Sequence, residues 1–352
     1  MPATVLVGGF FGDEGKGKIA AYLALKDNPK ICVRGGNGPN AGHTVLYKQV
    51  QYSLRLIPSG FVNKSSRLLI GPGVVVDPPI LLDEIQKTNT SDRIGIDYQT
   101  GIIEQRHKDQ ECNSEHLASK IGSTKKGVGA ANADRALRMV KVARQVQSLQ
   151  PYVCDSVGEV QDSLSRNERV MIEGTQGTFL SLYHGTYPYV TSKDVTASQA
   201  CADVGVGPTQ VDNVVVLFKA YVTRVGEGPL EGQLDREEVL RRGWMEYGTV
   251  TGRERRAAPF DFGLAKRAVQ LNGATQIALT KLDVLYPMIK GSTDIDGLNS
   301  EAREFVSRIE RETGVRVALI GTGPGERDII DVRQGKPSSQ ARAKPALVSR
   351  QR

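Results

Sequence analysis

Long apolar runs are missing from this 352-residue chain. None approaches the roughly 18 residues that cross a bilayer, and no charged-then-apolar start signals export. A cytoplasmic protein is expected. Cysteine is scarce: Cys32, Cys112, Cys154 and Cys201 lie far apart with no C-x-x-C pair, which argues against a disulfide framework and a zinc knuckle. An even charge balance is missing too, because the formal net charge is +7. Residues 333–352 hold six Lys or Arg and no acid, so removing those six from +7 leaves the remainder near +1. The excess therefore describes a polar, Pro- and Ser-containing tail, expected to be disordered, and not a basic nucleic-acid surface.

What is present is a succession of short β-branched runs separated by helical stretches. Strands are expected at 4–7, 31–33, 68–70, 74–76, 170–172, 214–218, 277–279 and 317–320, with helices at 19–25, 80–87, 131–146 and 301–312. Continuous apolar strands of this kind suit an α/β fold, a mostly parallel central sheet with helices on both faces and long functional loops. No repeat and no linker interrupts the chain before the tail, so a single domain over 1–332 is expected, followed by the tail at 333–352.

The densest chemistry stands at Gly8-Gly-Phe-Phe-Gly12-Asp13-Glu14-Gly15-Lys16-Gly17-Lys18, directly after the first strand. Glycines let backbone N–H groups converge on phosphate, and the lysines add charge. Read from Gly12, the loop nearly matches a Walker A motif, but Ile19 stands where a magnesium-binding Ser or Thr is needed. An ordinary P-loop ATPase is thereby disfavoured. Asp13 should repel phosphate unless a cation bridges them or its carboxylate takes a proton from the substrate. Further along, Gly248-Thr-Val-Thr251-Gly252-Arg253-Glu-Arg255-Arg256 places arginines after a turn, suited to fork a dicarboxylate. A nucleic-acid patch is the plain alternative, and no aromatic residues interleave to support it. Lys281 and Asp283 follow a strand, where a carboxylate can accept two hydrogen bonds from a guanine edge.

These motifs, with Asn40-Ala-Gly42-His43-Thr44, Ser123-Thr124-Lys-Lys-Gly127 and Glu173-Gly-Thr-Gln176-Gly177, resemble the adenylosuccinate synthetase family nearly throughout, up to about residue 330. The resemblance implies Asp13 as general base and Mg²⁺ ligand, with Gly42 as the second, backbone ligand. It implies His43 as transition-state stabiliser or general acid and Gln176 at the purine 6-oxygen. Gly12, Glu14, Gly15, Lys16 and Gly17 would hold the triphosphate, while Lys281, Asp283, Thr322, Gly323 and Pro324 would form its base pocket. The monophosphate would meet Asn40, Thr124, Gln176, Thr191, Val225 and Arg253, and also Arg138, which the family supplies from a neighbouring subunit; a homodimer is implied. Taken alone, Arg138 reads as a surface helix charge. Thr251, Arg253 and Arg255 would bind L-aspartate. The implied partners are a purine nucleoside monophosphate, aspartate and GTP, with an adenine triphosphate as alternative donor, and neither membrane nor nucleic acid.

A 6-oxo group cannot leave as oxide, so the implied chemistry is phosphorylation of that oxygen followed by displacement of phosphate by the aspartate amine. Two departures bear on the acceptor. Phe10-Phe11 replaces a usual Gln-Trp, and Ala130 and Asn132 stand where a Pro and an aromatic are usual, in segments that flank the purine. Together with the short length, these resemble the phage branch that aminates dGMP to 2-amino-2'-deoxyadenylosuccinate, and the reading leans to dGMP over IMP. Retention of Asp13 points the other way. A small GTPase-like switch and a nucleic-acid-dependent NTPase are the competing classes, and neither uses the arginine cluster.

Overall fold

A computed structural model of the chain describes residues 3–248 and 252–333. Apart from Arg333, the basic tail lies outside the described residues, as does Thr251.

Ten strands form one sheet. In chain order they are β1 (Ala3–Gly8), β2 (Ile31–Arg34), β3 (Arg67–Ile70), β4 (Ile94–Asp97), β5 (Val153–Cys154), β6 (Val170–Glu173), β7 (Val211–Lys219), β8 (Gln276–Thr280), β9 (Val317–Gly321) and β10 (Ile329–Asp331). Across the sheet they run β10-β9-β8-β7-β1-β6-β2-β3-β4-β5. The pairings are parallel, with the edge pair of β9 and β10 antiparallel.

Successive side chains of a strand point to opposite faces, and both faces are covered. Val5, Val7, Ile31, Val33 and Leu279 join a core with Val160 and Leu164 of the helix Ser156–Ser165, Ala265 and Val269 of Phe262–Asn272, and Val306 and Ile309 of Ser300–Thr313. Leu6, Cys32, Leu68, Ile70 and Ala278 join the opposite core, with Ile19, Leu23 and Ala24 of Lys16–Asp27 and Leu81 and Ile85 of Pro78–Thr88. This double cover is why the strands read as unbroken apolar runs and not as alternating ones.

Two expectations need correction. The run at 74–76 yields only Val75–Val76, which pairs with Gly101–Ile102 outside the large sheet. The helix expected over 131–146 is confined to Val128–Ala136. Arg138 turns left-handed with φ 63°, and the N–H of Met139 donates back to the Asp134 carbonyl at 2.8 Å. The following β-branched residues pair instead of coiling: Ile102 N–H donates to the Lys141 carbonyl at 2.8 Å. Short strands at Ile94–Asp97, Val153–Cys154 and Ile329–Asp331 escaped the sequence reading.

The topology puts a crevice at the sheet centre. The chain runs from β1 outward to β5, returns to insert β6 between β1 and β2, and then lays β7 to β10 on the far side of β1. At such a reversal, loops leaving the carboxyl ends of adjacent strands part and leave room for a ligand.

Candidate active site

The phosphate loop leaves β1 at that reversal. Gly12 (φ 92°), Asp13 (φ 64°) and Gly15 (φ 79°) all take the left-handed region, costly for a residue with a side chain such as Asp13. Glu14 folds the loop on itself. Its carboxylate accepts the N–H groups of Phe10 at 3.0 Å and Gly12 at 2.7 Å and the Lys16 ammonium at 2.9 Å. Glu14 thus lies beneath the loop, nearly inaccessible, whereas Lys16 reaches the cavity and also donates to the Gln176 carbonyl. Gly15 opens the helix Lys16–Asp27 against Thr280, and Gly17 backs onto the Thr44 backbone.

A cavity of 380 Å³ collects half of the positions chosen from the sequence. Gly12, Asp13 and Lys16 line it from the first loop, Asn40, Gly42 and His43 from the segment after β2, Gln176 and Thr191 from the segment after β6, and Thr124, Val225 and Arg253 from elsewhere. A second group gathers beside it. Thr280 Oγ1 donates to the Glu14 carbonyl at 3.0 Å, placing Lys281 and Asp283 next to the loop, and Lys18 donates to the carbonyls of Gly323 and Asp328, drawing in 322–324.

Other positions do not reach the cavity. Arg138 is exposed beyond its helix, between Leu137 (63% exposed) and Met139 (59%). Arg255 is buried behind Asp13, with Nη2 2.9 Å from Asp13 Oδ2 and Nη1 2.7 Å from Glu246 Oε2. Contrary to the expectation from the sequence, Phe10 does not flank the cavity. It packs into the core against Phe218 (4.7 Å between centroids) and Phe260 (5.2 Å), while Phe11 lines the cavity with the Arg224 guanidinium 4.4 Å over its ring. Asn132 also stays outside, donating to Asn37 Oδ1 at 2.7 Å and Ser192 Oγ at 2.9 Å.

The electrostatics distinguish the groups. Burial raises Asp13 above the usual carboxylate range, opposed by Arg255 and Lys219. A carboxylate so placed is a stronger base than a free one. His43 is buried, and desolvation with the neighbouring Arg34 lowers it to about 4, against the pull of Glu173. Its Nδ1 contacts both the Glu173 carboxylate and, at 2.6 Å, Arg34 Nη1; with its proton on Nδ1 the ring donates to Glu173, and Nε2 is left without a partner among the described residues. Glu173 is held at about 2: burial opposes ionisation, but Arg34, His43 and a bond from Ser59 outweigh it. Arg34 donates to the same carboxylate oxygen at 2.9 Å. Thr191 Oγ1 accepts from Asn37 at 2.6 Å and Asn40 at 3.3 Å, which leaves its own O–H to donate.

Three buried polar atoms on cavity-lining residues have no partner among the described residues: Asn40 Oδ1, His43 Nε2 and Gln176 Nε2. Buried polar atoms are almost always bonded, so this trio marks where a polar ligand completes the structure. For a hard cation, the Asp13 carboxylate and a backbone oxygen at Gly42 border the cavity and fit by ligand type. No cluster of three or more His, Cys, Asp or Glu suited to a metal occurs among the described residues, so phosphate oxygens and water would complete its shell.

The sequence reading missed Arg34, Glu173, Lys219 and Glu246. The first three end the apolar strands β2, β6 and β7, and a charge closing a buried run at its carboxyl end was the available signal.

A model of the adenylosuccinate synthetase family matches residues 5–143 and 138–290 of the chain. The adenylosuccinate synthetase of Methanocaldococcus jannaschii is 52% identical over 336 residues, covering 95% of this chain and 97% of that relative. That of Pyrococcus horikoshii is 51% identical, covering 95% and 99%. Among solved structures, the fully ligated Plasmodium falciparum adenylosuccinate synthetase shares the fold, with a TM-score of 0.85 at 24% identity over 94% of this chain and 100% of that one. Cyanophage S-2L succinoaminodeoxyadenylate synthetase, bound to dGMP and to dATP as energy donor, gives a TM-score of 0.79 at 27% identity over 94% and 95%.

The Arg34–Glu173–His43 cluster generates a stability prediction. Glu173→Ala leaves Arg34 as an uncompensated buried charge, which costs about 3–5 kcal/mol. Urea unfolding should show that loss, and a change below about 1 kcal/mol would mean the cluster does not hold the site together.

Proposed function

Because the chain belongs to the adenylosuccinate synthetase family, it is a ligase, and we propose that it joins L-aspartate to C6 of a 6-oxopurine nucleoside monophosphate at the expense of a nucleoside triphosphate. The observation that carries this reading is the trio of partnerless atoms on Asn40, His43 and Gln176 around one cavity, with the Asp13 carboxylate at its edge.

The residues divide the work. Asp13, raised by burial, takes the purine N1 proton, and the 6-oxygen gains the electrons to attack the γ-phosphate. Gln176 Nε2 meets that oxygen. Loop amides and Lys16 hold the phosphoryl charge, and His43 Nε2 meets the transferring group; an anion beside the imidazole favours uptake of a proton from water on binding, and the ring then donates Nε2–H to the developing charge. Mg²⁺, held by Asp13 and the Gly42 carbonyl, would supply further charge neutralisation to the triphosphate. The aspartate amine then displaces phosphate at C6, with the dicarboxylate held by Arg253 and Arg255, and Thr251 completing that subsite. Asn40, Thr124, Thr191 and Val225 take the monophosphate. Lys281, Asp283 and the 322–324 turn take the donor base, with GTP as the donor. A cytoplasmic setting belongs to the same reading; no helix among the described residues is long and apolar enough to cross a membrane.

IMP is the acceptor we favour, because half of the residues are shared with proteins described as adenylosuccinate synthetases. The lean to dGMP loses one support, because Phe10 packs in the core. dGMP remains a second reading on the strength of Phe11, which lines the cavity. Competition among IMP, dGMP, GMP and dIMP, with saturating aspartate and Mg²⁺, should give the highest kcat/KM for IMP, with one mismatched buried hydrogen bond separating acceptors by orders of magnitude. A preference for dGMP would establish the second reading instead.

A shared dimer site is the remaining part. Arg138 stands exposed between Leu137 and Met139, an apolar frame suited to cover by a second subunit. Arg138→Leu and Asp13→Asn subunits, each inactive alone, should regain part of the activity when mixed. Absence of recovery after demonstrated subunit exchange would exclude a shared site.

A further inference from the structure

Glu246 is the hub of the charge cluster behind the phosphate loop. Its Oε2 accepts from Lys219 Nζ at 2.8 Å and from Arg255 Nη1 at 2.7 Å, and its Oε1 accepts from the Tyr221 hydroxyl at 2.6 Å and lies 3.6 Å from Lys281 Nζ. The carboxylate cannot swing. Tyr221 is clamped by a stacked Trp244, 4.5 Å between centroids, and Lys219 is itself fully buried and tied to Thr223. The backbone reinforces the pairing, since Arg255 N–H donates to the Glu246 carbonyl at 2.9 Å and Gly248 N–H to the Arg253 carbonyl at 2.8 Å. Glu246 and Arg255 are therefore fixed beside the Gly248–Arg253 backbone pair, and Arg253 lines the cavity.

The two ends of the Arg255 guanidinium differ. Nη1 is committed to Glu246, whereas the fork formed by Nε and Nη2 is not: Nη2 contacts Asp13, and Nε is buried without a partner among the described residues. An Nε–Nη2 fork is the edge that receives a carboxylate bidentately. We infer that Glu246 is a positioning residue for the amino-acid substrate, holding Arg255 by Nη1 so that this fork, which lies behind Asp13, stays ready for an aspartate carboxylate that displaces Asp13. Arrival of that carboxylate would satisfy Nε and draw Nη2 from Asp13, so filling the aspartate subsite frees the loop carboxylate from its internal ion pair. The inference rests on the reading of Arg255 as an aspartate-binding residue. Neutralising Lys219 is the plainer role for Glu246, and it predicts a stability effect without selectivity among substrates.

Glu246→Gln, assayed by phosphate release with the other two substrates saturating, separates these roles. The KM for aspartate should rise about tenfold or more, the scale of one charge-assisted hydrogen bond, while the monophosphate and triphosphate KM values stay within about twofold. Glu246→Asp keeps the charge beside Lys219 but shortens the reach to Arg255. It should fold even if the amide variant does not, and should still raise the aspartate KM selectively. Equal changes in all three KM values, or none, in the folded variant would overturn the inference. Arg255→Lys is the control: if it leaves the aspartate KM unchanged, the aspartate reading of Arg255 fails; if it raises that KM and neither Glu246 variant does, only the positioning role fails.

Discussion

A carboxylate can sit in an anion-binding loop only beside a counter-charge, and the 2.9 Å contact between Asp13 and Arg255 provides one. The compensation is incomplete, because burial still leaves Asp13 above the usual carboxylate range despite Arg255 and Lys219. That imbalance is useful. A raised carboxylate holds a proton more tightly than a free one, which suits the proposed removal of a proton from the substrate. Arg255 can serve as that counter-charge only because Glu246 offsets it, together with Lys219, within the same buried cluster.

The sheet sets where that imbalance is used. Because β6 and β7 flank β1, the phosphate loop, the Gln176 loop and the Lys219–Arg224 segment leave neighbouring strand ends and surround one cavity. Glu14 makes the loop self-supporting by binding two of its amides and Lys16. The loop is thus shaped before ligand arrives, and less ordering is needed on binding. On the other side, the Glu173 carboxylate fixes His43 through Nδ1 and settles Arg34, so the free Nε2 has one orientation.

Periodicity and glycine spacing made the central strands and the phosphate loop legible, because both are local signals: the apolar run at 4–7 could only be buried on two faces, and the glycines from 8 to 17 could only be a tight turn. What stayed hidden depends on convergence from distant segments. Arg34 and Glu173 stand 139 residues apart in sequence, and nothing local in either pairs them. Phe10 and Phe11 are identical neighbours buried in the same core, yet only Phe11 also borders the cavity. Only the direction of the backbone decides between them. Arg138 follows good helix formers, yet pairing of the next residues with Ile102 ends the helix before it. Tertiary pairing overrode local propensity there.

The central claim is that the purine 6-oxygen itself attacks the γ-phosphate and departs as part of inorganic phosphate. Supplying the monophosphate with ¹⁸O at position 6 and analysing released phosphate by mass spectrometry tests this directly. The account predicts one ¹⁸O per phosphate formed, and only when aspartate is turned over. Phosphate carrying oxygen from water alone would contradict it, and would mean that the triphosphate is hydrolysed without passing through the purine.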